Sequence, residues 1–590
     1  MPSWLGLVPQ GSRPGRQRST RTPCQRLDLL SEDGDASLGG FSTRTLASEY
    51  PALPRRITLN TPPTAHLPPV EHFSDEEIAF LTPFVTNTDL PVFALTNLPE
   101  VVKGALFARY SRTEKSLRRL LIDEFRSDLE GVDVSQAGRL ARAEGLYDRV
   151  FGDYGDDSIA QLGSVHVSCE GVSNVATKLL ERGRLMSYLE QSTRYVPYTD
   201  RPDGRWKYHT PLGLDRTAKE LFTETVDASF NIYAAGIPKV ETFLLDRLGS
   251  RTEPPSRGFR RAVRAKALDL LRGLLPAATR SNVGVYGSGQ AYEMLVMRLR
   301  ASGNSEASLI ADLLLQELQK VIPAFVARVD RLDRGVLWTR YLKDVRVDTR
   351  AEAERLTADV RIDDVPEVTL TDYDPEGELK VVAAALYRQS ALGDRQLLEI
   401  ARQMSETDRA ALLGAYVGDR GNRRHRPGRA FERTSYRFDI LGEYAAFRDL
   451  QRHRLLTIDW QTLTPTHGYV TPPLIEQVGL GGAWREVMER GAELYDYLLT
   501  VSPQDAAYAV PMAYRIRYVM DMNAREAMHV IELRSAEQGH ENYRRIARRM
   551  HELIRSEAGH PAIADAMQFV SYASADLERL RTEEASDKPD

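Results

Sequence analysis

The sequence predicts an α+β fold built twice in tandem. Three observations carry this. Two stretches of alternating apolar residues, "SVHVSCEG" from Ser164 and "SYRFDILG" from Ser435, read as half-buried strands, and each ends at a glycine. Each is followed by about ten helix-forming residues and an arginine motif, "RGRLMSYLEQSTRYVP" from Arg182 and "RHRLLTIDWQTLTP" from Arg452. Each half then closes on a helix ending in Leu-Arg, at Leu299-Arg300 and Leu533-Arg534, ahead of a long amphipathic helix. Self-similarity in a fixed order marks an internal repeat, and a repeat decides the fold before any single element does.

Composition sets the outer bounds. A chain of 590 residues allows two to four domains at about 150 residues each. Hydrophobic content of 42% and charged content of 27% are ordinary for a globular protein. A net charge of −5 gives no global pull toward a nucleic acid polymer, so a polyanion needs a local basic patch. Cys24 lies in an irregular stretch and Cys169 in an expected strand, so no disulfide framework is expected and a reducing cytoplasm fits. No apolar run approaches the roughly 18 residues that span a bilayer.

The elements follow in order. Residues 1–60 are expected to be a disordered tail or an over-extended start. "GSRPGRQRSTRTPCQR" carries five arginines and no acid, but Pro and Gly interrupt any amphipathic transit helix. The first domain is expected over residues 85–345. "LPEVVKGALFARYSRTEKSLRRLLIDEF" from Leu98 reads as helix, polar break, helix, before the first strand and the first arginine motif. "AYEMLVMRLRAS" and "EASLIADLLLQELQKVIPAFV" then read as helices. The link around "VDTRAEAERLTADVRIDDVPE" is charged and solvated, with no low-complexity spacer, so the halves are expected to pack together. The second domain, residues 366–580, repeats the order, from "EGELKVVAAALYRQSALGDRQLLEIARQM" to "NYRRIARRMHELIRSEAGHPAIADAM".

The first arginine motif resembles the signature of the flavin-dependent thymidylate synthases, Arg-His-Arg followed by Ser, Glu and Ser-x-Arg-Tyr. Arg182, Arg184, Ser187, Glu190, Ser192, Arg194 and Tyr195 match, while Gly183 replaces the histidine and Leu189 the usual Asn or Ser. The second motif keeps Arg452, His453 and Arg454, with Thr457 for the serine and Trp460, Thr462 and Thr464 for Glu, Ser and Arg. The family's closing helix reads Asn-x-Arg, then Leu-Arg. The second copy keeps it as Asn523, Arg525, Leu533 and Arg534; the first keeps Leu299 and Arg300 but has Gly289 and Ala291. At about 100° per residue, Asn523 and Arg534 fall on one helix face and are expected to share a groove. The family's Ser-x-x-Glu-His element is damaged in both copies, at "SIAQL" and at "GRAFE", which ends in Glu432. Its glutamine before the first motif is Leu179 in one copy and Asp449 in the other.

The resemblance implies a central antiparallel sheet flanked by long helices, present twice, and a flavoprotein that methylates dUMP to dTMP. It implies FAD as cofactor, with NADPH and methylene-tetrahydrofolate as co-substrates. Glu190, Ser192 and Arg194 are the implied nucleotide clamp, since guanidinium pairs bidentately with phosphate. Arg534 is implied over the uracil, where a permanent cation stabilises developing ring charge; Arg300 is its first-copy counterpart. Arg182, Arg184, Arg452, His453, Arg454, Asn523 and His529 are implied on the cofactor side. Family members assemble as homotetramers, so a fused chain is expected to be a homodimer forming a pseudo-tetramer. The unequal damage points to one good site built from the first copy's clamp and the second copy's Arg534 helix. Three readings stay open: an active dUMP methylase, a degenerate nucleotide-binding or structural relative, and a methylase of another pyrimidine nucleotide. No metal is expected, because His425, His453, His467, His529 and His540 form no ligand spacing. "GVYGSGQ" from Gly284 is glycine-rich but is expected to lack the strand–loop–helix setting of a phosphate loop.

Overall fold

The computed structural model describes residues 68–98, 110, 113–129, 164–249, 255–574 and 576–585. The expected tail over residues 1–60, the first helix of the Leu98 stretch and the "SIAQL" stretch lie outside them.

Two four-stranded antiparallel sheets share one strand order. In the first copy β1 (Val92–Leu95), β2 (Ser164–Ser173), β3 (Met186–Glu190) and β4 (Arg280–Ser288) lie in the order β1-β2-β4-β3. In the second copy β5 (Val368–Tyr373), β6 (Ser435–Glu443), β7 (Thr457–Trp460) and β8 (Arg515–Asn523) lie in the order β5-β6-β8-β7. The crossover, in which the last strand inserts between the second and third, is the same in both. The chain is therefore an α+β protein made of two tandem copies of one domain.

The flanking helices repeat as well. The first copy has α1 (Leu117–Leu129), α2 (Asn174–Leu180), α3 (Arg216–Leu248), α4 (Arg257–Leu271), α5 (Gly289–Ala301) and α6 (Ser305–Val321). A linking helix α7 (Leu337–Thr357) buries no residue, as a charged, solvated link should. The second copy has α8 (Gly377–Tyr387), α9 (Tyr444–Leu450), α10 (Gly481–Val501), α11 (Ala524–Arg534) and α12 (Glu541–Ser556).

Several elements differ from expectation. Strand β2 is buried on both faces rather than one, with Ser168 fully covered and bonded to the Tyr110 hydroxyl at 3.1 Å. Strand β6 does alternate, with Tyr436, Phe438 and Ile440 inward. The helices before the arginine motifs, α2 and α9, are only seven residues long. Residues 186–190 and 457–460 of the motifs are edge strands. "GVYGSGQ" does sit at a strand–helix junction: β4 runs straight into α5, with Ser288 capping the helix by accepting from Ala291 N at 3.3 Å. There is no intervening loop, so there is no cradle for a phosphate.

One core joins the copies. Leu268, Leu271 and Leu274 of the first copy and Trp484, Met488 and Tyr508 of the second belong to a single buried cluster. Gly273 lets the backbone meet Trp484, since a Cβ there would lie 2.7 Å from the indole. Two equivalent proline segments pair across the junction. Ala277 N donates to Val510 O at 2.8 Å and Met512 N to Leu275 O at 2.9 Å. These reciprocal bonds are the signature of a twofold relation between copies.

Candidate functional site

The twofold relation brings the two arginine motifs face to face. Arg184 donates to the Thr457 hydroxyl at 2.8 Å, and Arg454 donates to the Ser187 hydroxyl at 3.2 Å. Thr457 and Ser187 are equivalent positions, so each copy's second arginine holds the other copy's hydroxyl. Arg182 pairs with Asp459 at 3.0 Å and stacks on Trp460 at 5.1 Å. Between the motifs lies a cavity of about 300 Å³ lined by Arg182, Arg184, Arg298, His453, Arg454 and Asp459, among others. The histidine lost from the first motif has been replaced in space as well as in sequence. The Tyr188 hydroxyl accepts from Gly183 N at 3.0 Å, and a Cβ on Gly183 would lie 2.5 Å from it.

Beneath this face is a buried ionic cluster. Strand β3 ends at Glu190, whose carboxylate accepts from Arg448 at 2.5 Å, Arg452 at 3.1 Å and Lys178 at 3.3 Å. Burial pushes Glu190 up, but Arg448, Lys178 and Arg452 together hold it below the usual carboxylate range. Two residues beyond, the Ser192 hydroxyl accepts from Arg194 N at 3.3 Å, closing the turn. The Arg194 guanidinium reaches Asp269 at 2.8 Å, the Tyr543 hydroxyl at 3.1 Å and the Gln538 carbonyl at 3.2 Å.

Arg534, at the end of α11, meets the same place from the second copy. Its guanidinium lies 5.4 Å from the Tyr543 ring centroid, donates to His453 Nε2 at 2.9 Å and bonds the Asp449 carbonyl. The Asp449 carboxylate lies 3.6 Å from Arg272, 3.9 Å from Arg452 and 4.0 Å from Arg534. Burial raises its pKa, yet Arg452, Arg272, Arg534 and Arg194 outweigh burial and keep it ionised. His540 spans the copies, bonded to Asp269 at 2.9 Å and to Glu443.

Other expected site residues are placed differently. Arg300 is bonded to Asp312 and Asp330, both at 2.8 Å, and among the described residues pairs with no motif residue. The first copy's own carboxylates hold it. Thr464 caps a short turn by accepting from Thr466 N at 3.3 Å. Asn523 caps α11, accepting from Glu526 N at 2.9 Å, and so sits at the far end of the helix from Arg534. The two residues therefore stand at opposite ends of α11, about 16 Å apart along its axis. His529 lies between them, 5.4 Å from His453 by ring centroids, and Arg426 lies 2.9 Å from its Nδ1.

His453, His529 and Glu526 have ligand atoms within 4.8 Å of one another, a grouping that spacing in sequence did not predict. The chemistry around it favours an anion instead. Burial and then Arg426, Arg423 and Arg534 pull His529 down to about 4, and burial pushes Glu526 up to about 7. A site crowded with guanidiniums repels a dication. The donor set of Arg182, Arg184, Arg454 and two neutral imidazoles fits a phosphate-bearing aromatic cofactor. A larger cavity of about 770 Å³ in the first copy carries Glu71, Asp89, Glu114, Glu170, Asp200 and Asp203 against Lys207, Arg280 and His72, and does not suit such a ligand.

Sequence reasoning missed Asp269, Arg272, Arg448 and Tyr543. A signal for the first two was present. Counting from Pro276 and its partner Pro511, Gln504 and Ala507 stand at their places, so the charge exists in one copy only. Cys169 is fully buried and its thiol is pushed up to about 12 by that burial, which makes it a poor nucleophile.

The paired sheets and facing arginine motifs define a fused chain in which two copies of one domain meet at their motifs. Residues 105–324 and 369–560 match the thymidylate synthase complementing protein family. The chain belongs to that family. A UPF0159 protein of Chlamydia pneumoniae is 38% identical over 522 residues, covering 87% of this chain and 98% of that protein. A UPF0159 protein of Thermoplasma acidophilum is 33% identical over 515 residues, covering 82% and 97%. A flavin-dependent thymidylate synthase of Mycobacterium sp. (strain KMS) is 32% identical over 178 residues, covering 30% of this chain and 66% of that enzyme. No helix among the described residues is long and apolar enough to cross a membrane.

Proposed function

We propose that the chain converts dUMP to dTMP, with FAD as cofactor and methylene-tetrahydrofolate and NADPH as co-substrates. The observation that supports this is the meeting of Arg194 and Arg534 at Tyr543. The two residues come from different copies and are 340 positions apart, yet they flank one side chain. A phosphate would exchange with the Tyr543 hydroxyl and the Gln538 carbonyl at Arg194, while Asp269 holds that guanidinium from its other side. Arg272 adds a second cation. Arg534, oriented by His453 and the Asp449 carbonyl, would lie against the pyrimidine and stabilise negative charge at its carbonyl oxygen. Arginine stays protonated throughout, so this needs no titration.

Arg182, Arg184, Arg454 and His453 would hold the cofactor in the cavity between the motifs. When bound there, flavin supplies the reducing equivalent and folate the carbon, so no cysteine nucleophile is required. A homodimer forming a pseudo-tetramer would cover this face, and Leu185 and Leu455, 76% and 69% exposed at equivalent positions, support that assembly. The test is tritium release from dUMP labelled at ring carbon 5, with FAD, NADPH and methylene-tetrahydrofolate supplied. Release that disappears in Arg534→Ala is expected. No release, with flavin absent from the purified protein, would favour a nucleotide-binding relative whose clamp is neutralised by Asp269 and Asp449.

A further inference from the structure

The stretch "DRGNRRHRPGR", from Asp419 to Arg429, occupies the region before β6 where the family's histidine element is damaged. Its core is a buried arginine. Arg420 pairs bidentately with Glu532, both contacts at 2.6 Å. The same guanidinium donates to the carbonyls of His425 at 2.7 Å and Ala566 at 2.8 Å. Asn422 accepts from Arg424 N at 2.9 Å, and Arg525 donates to the Pro427 carbonyl at 2.9 Å. The loop is thus fixed by buried charge and by its own hydrogen bonds.

What it fixes is three more guanidiniums. Arg423, Arg424 and Arg426 stand within four residues, half-exposed or exposed, and among the described residues none has a carboxylate partner. Neighbouring Arg429 differs, being paired with Glu432 at 3.0 Å. Holding like charges together without counter-ions is unfavourable unless an anion binds there. Arginine forks match phosphate oxygens. Three cations exceed the charge of one phosphate monoester of about two. The loop also continues into the inter-motif cavity: Arg426 touches His529, His529 faces His453, and His453 lines that cavity.

We propose that the Arg423–Arg426 loop is a diphosphate-binding site, which docks the phosphate bridge of a dinucleotide whose aromatic end lies along His529 and His453. That the dinucleotide is FAD rests on the reading above; the diphosphate site itself does not. The experiment uses the full chain and calorimetric titration with inorganic pyrophosphate, ADP, FAD and riboflavin. Arg424→Gln/Arg426→Gln is expected to weaken pyrophosphate, ADP and FAD by at least about tenfold while riboflavin is unchanged. Arg424→Lys/Arg426→Lys is expected to recover part of the loss, and Arg429→Gln to bind as the parent. Matching melting curves establish that the variants fold. Parent protein that binds neither pyrophosphate nor ADP, or a double glutamine variant that binds them as well as the parent, overturns the proposal. Pyrophosphate binding by a protein that retains no flavin and releases no tritium would leave the loop site standing and remove the flavin reading.

Discussion

Arg194 and Arg300 are both motif arginines, yet their surroundings assign them opposite fates. Arg194 is held by Asp269 from one side and opens on Tyr543 beneath Arg534. Arg300 is closed off by Asp312 and Asp330. Arg194→Ala and Arg534→Ala are each expected to abolish dUMP binding in a titration, whereas Thr464→Ala and Arg300→Ala change it less than about threefold. Equal losses from all four would refute a site composed from one copy's clamp and the other's helix. Arg194 could be picked out from its motif. Its pairings could not, because Asp269 and Tyr543 lie 75 and 349 residues away and no local periodicity links them to it, even though the one-sided charge at Asp269 was visible.

At the scale of one element, α11 carries an unusual load. Its first turn holds Glu526, buried with two neutral imidazoles as neighbours. Its pKa, 4.5 ordinarily, is pushed up to about 7 by burial. The folded state therefore holds this proton more tightly than the unfolded chain. The group costs nothing below the lower value, and its penalty grows as pH rises toward the upper one. Screening leaves a penalty of about 2 kcal/mol. Glu526→Gln is expected to gain that stability at pH 8 and to match the parent at pH 4.5, measured by urea denaturation. An equal gain at both pH values would rule out ionisation as its source. The existence of α11 was legible from "NAREAMHVIELRSA". The strand β8 before it was not read, and β4 was hidden by Gly284 and Gly287, which carry no strand signal.

At the scale of the whole molecule, the duplication was legible and the junction was not. Repeated motifs in fixed order announced two copies. The surface that joins them consists of ordinary apolar residues, Leu271, Leu274 and Trp484, whose burial against a partner copy leaves no mark in composition. Because the core crosses the junction, residues 366–590 expressed alone would bare the Trp484 face and are expected to aggregate, while the full chain melts in one transition by calorimetry. Trp484→Ala is expected to cost about 3–5 kcal/mol, measured by denaturant unfolding. A well-folded isolated half would contradict a shared core.

The reciprocal bonds at Arg184–Thr457 and Arg454–Ser187 carry a consequence for counting. In a homodimer every substitution appears twice and both faces of the axis change together. Here Gly183 sits opposite His453, and Tyr188 opposite Ile458, so symmetry of backbone is kept while symmetry of chemistry is given up. A saturating ligand should therefore register at one equivalent per polypeptide, half the occupancy expected if each copy acted for itself.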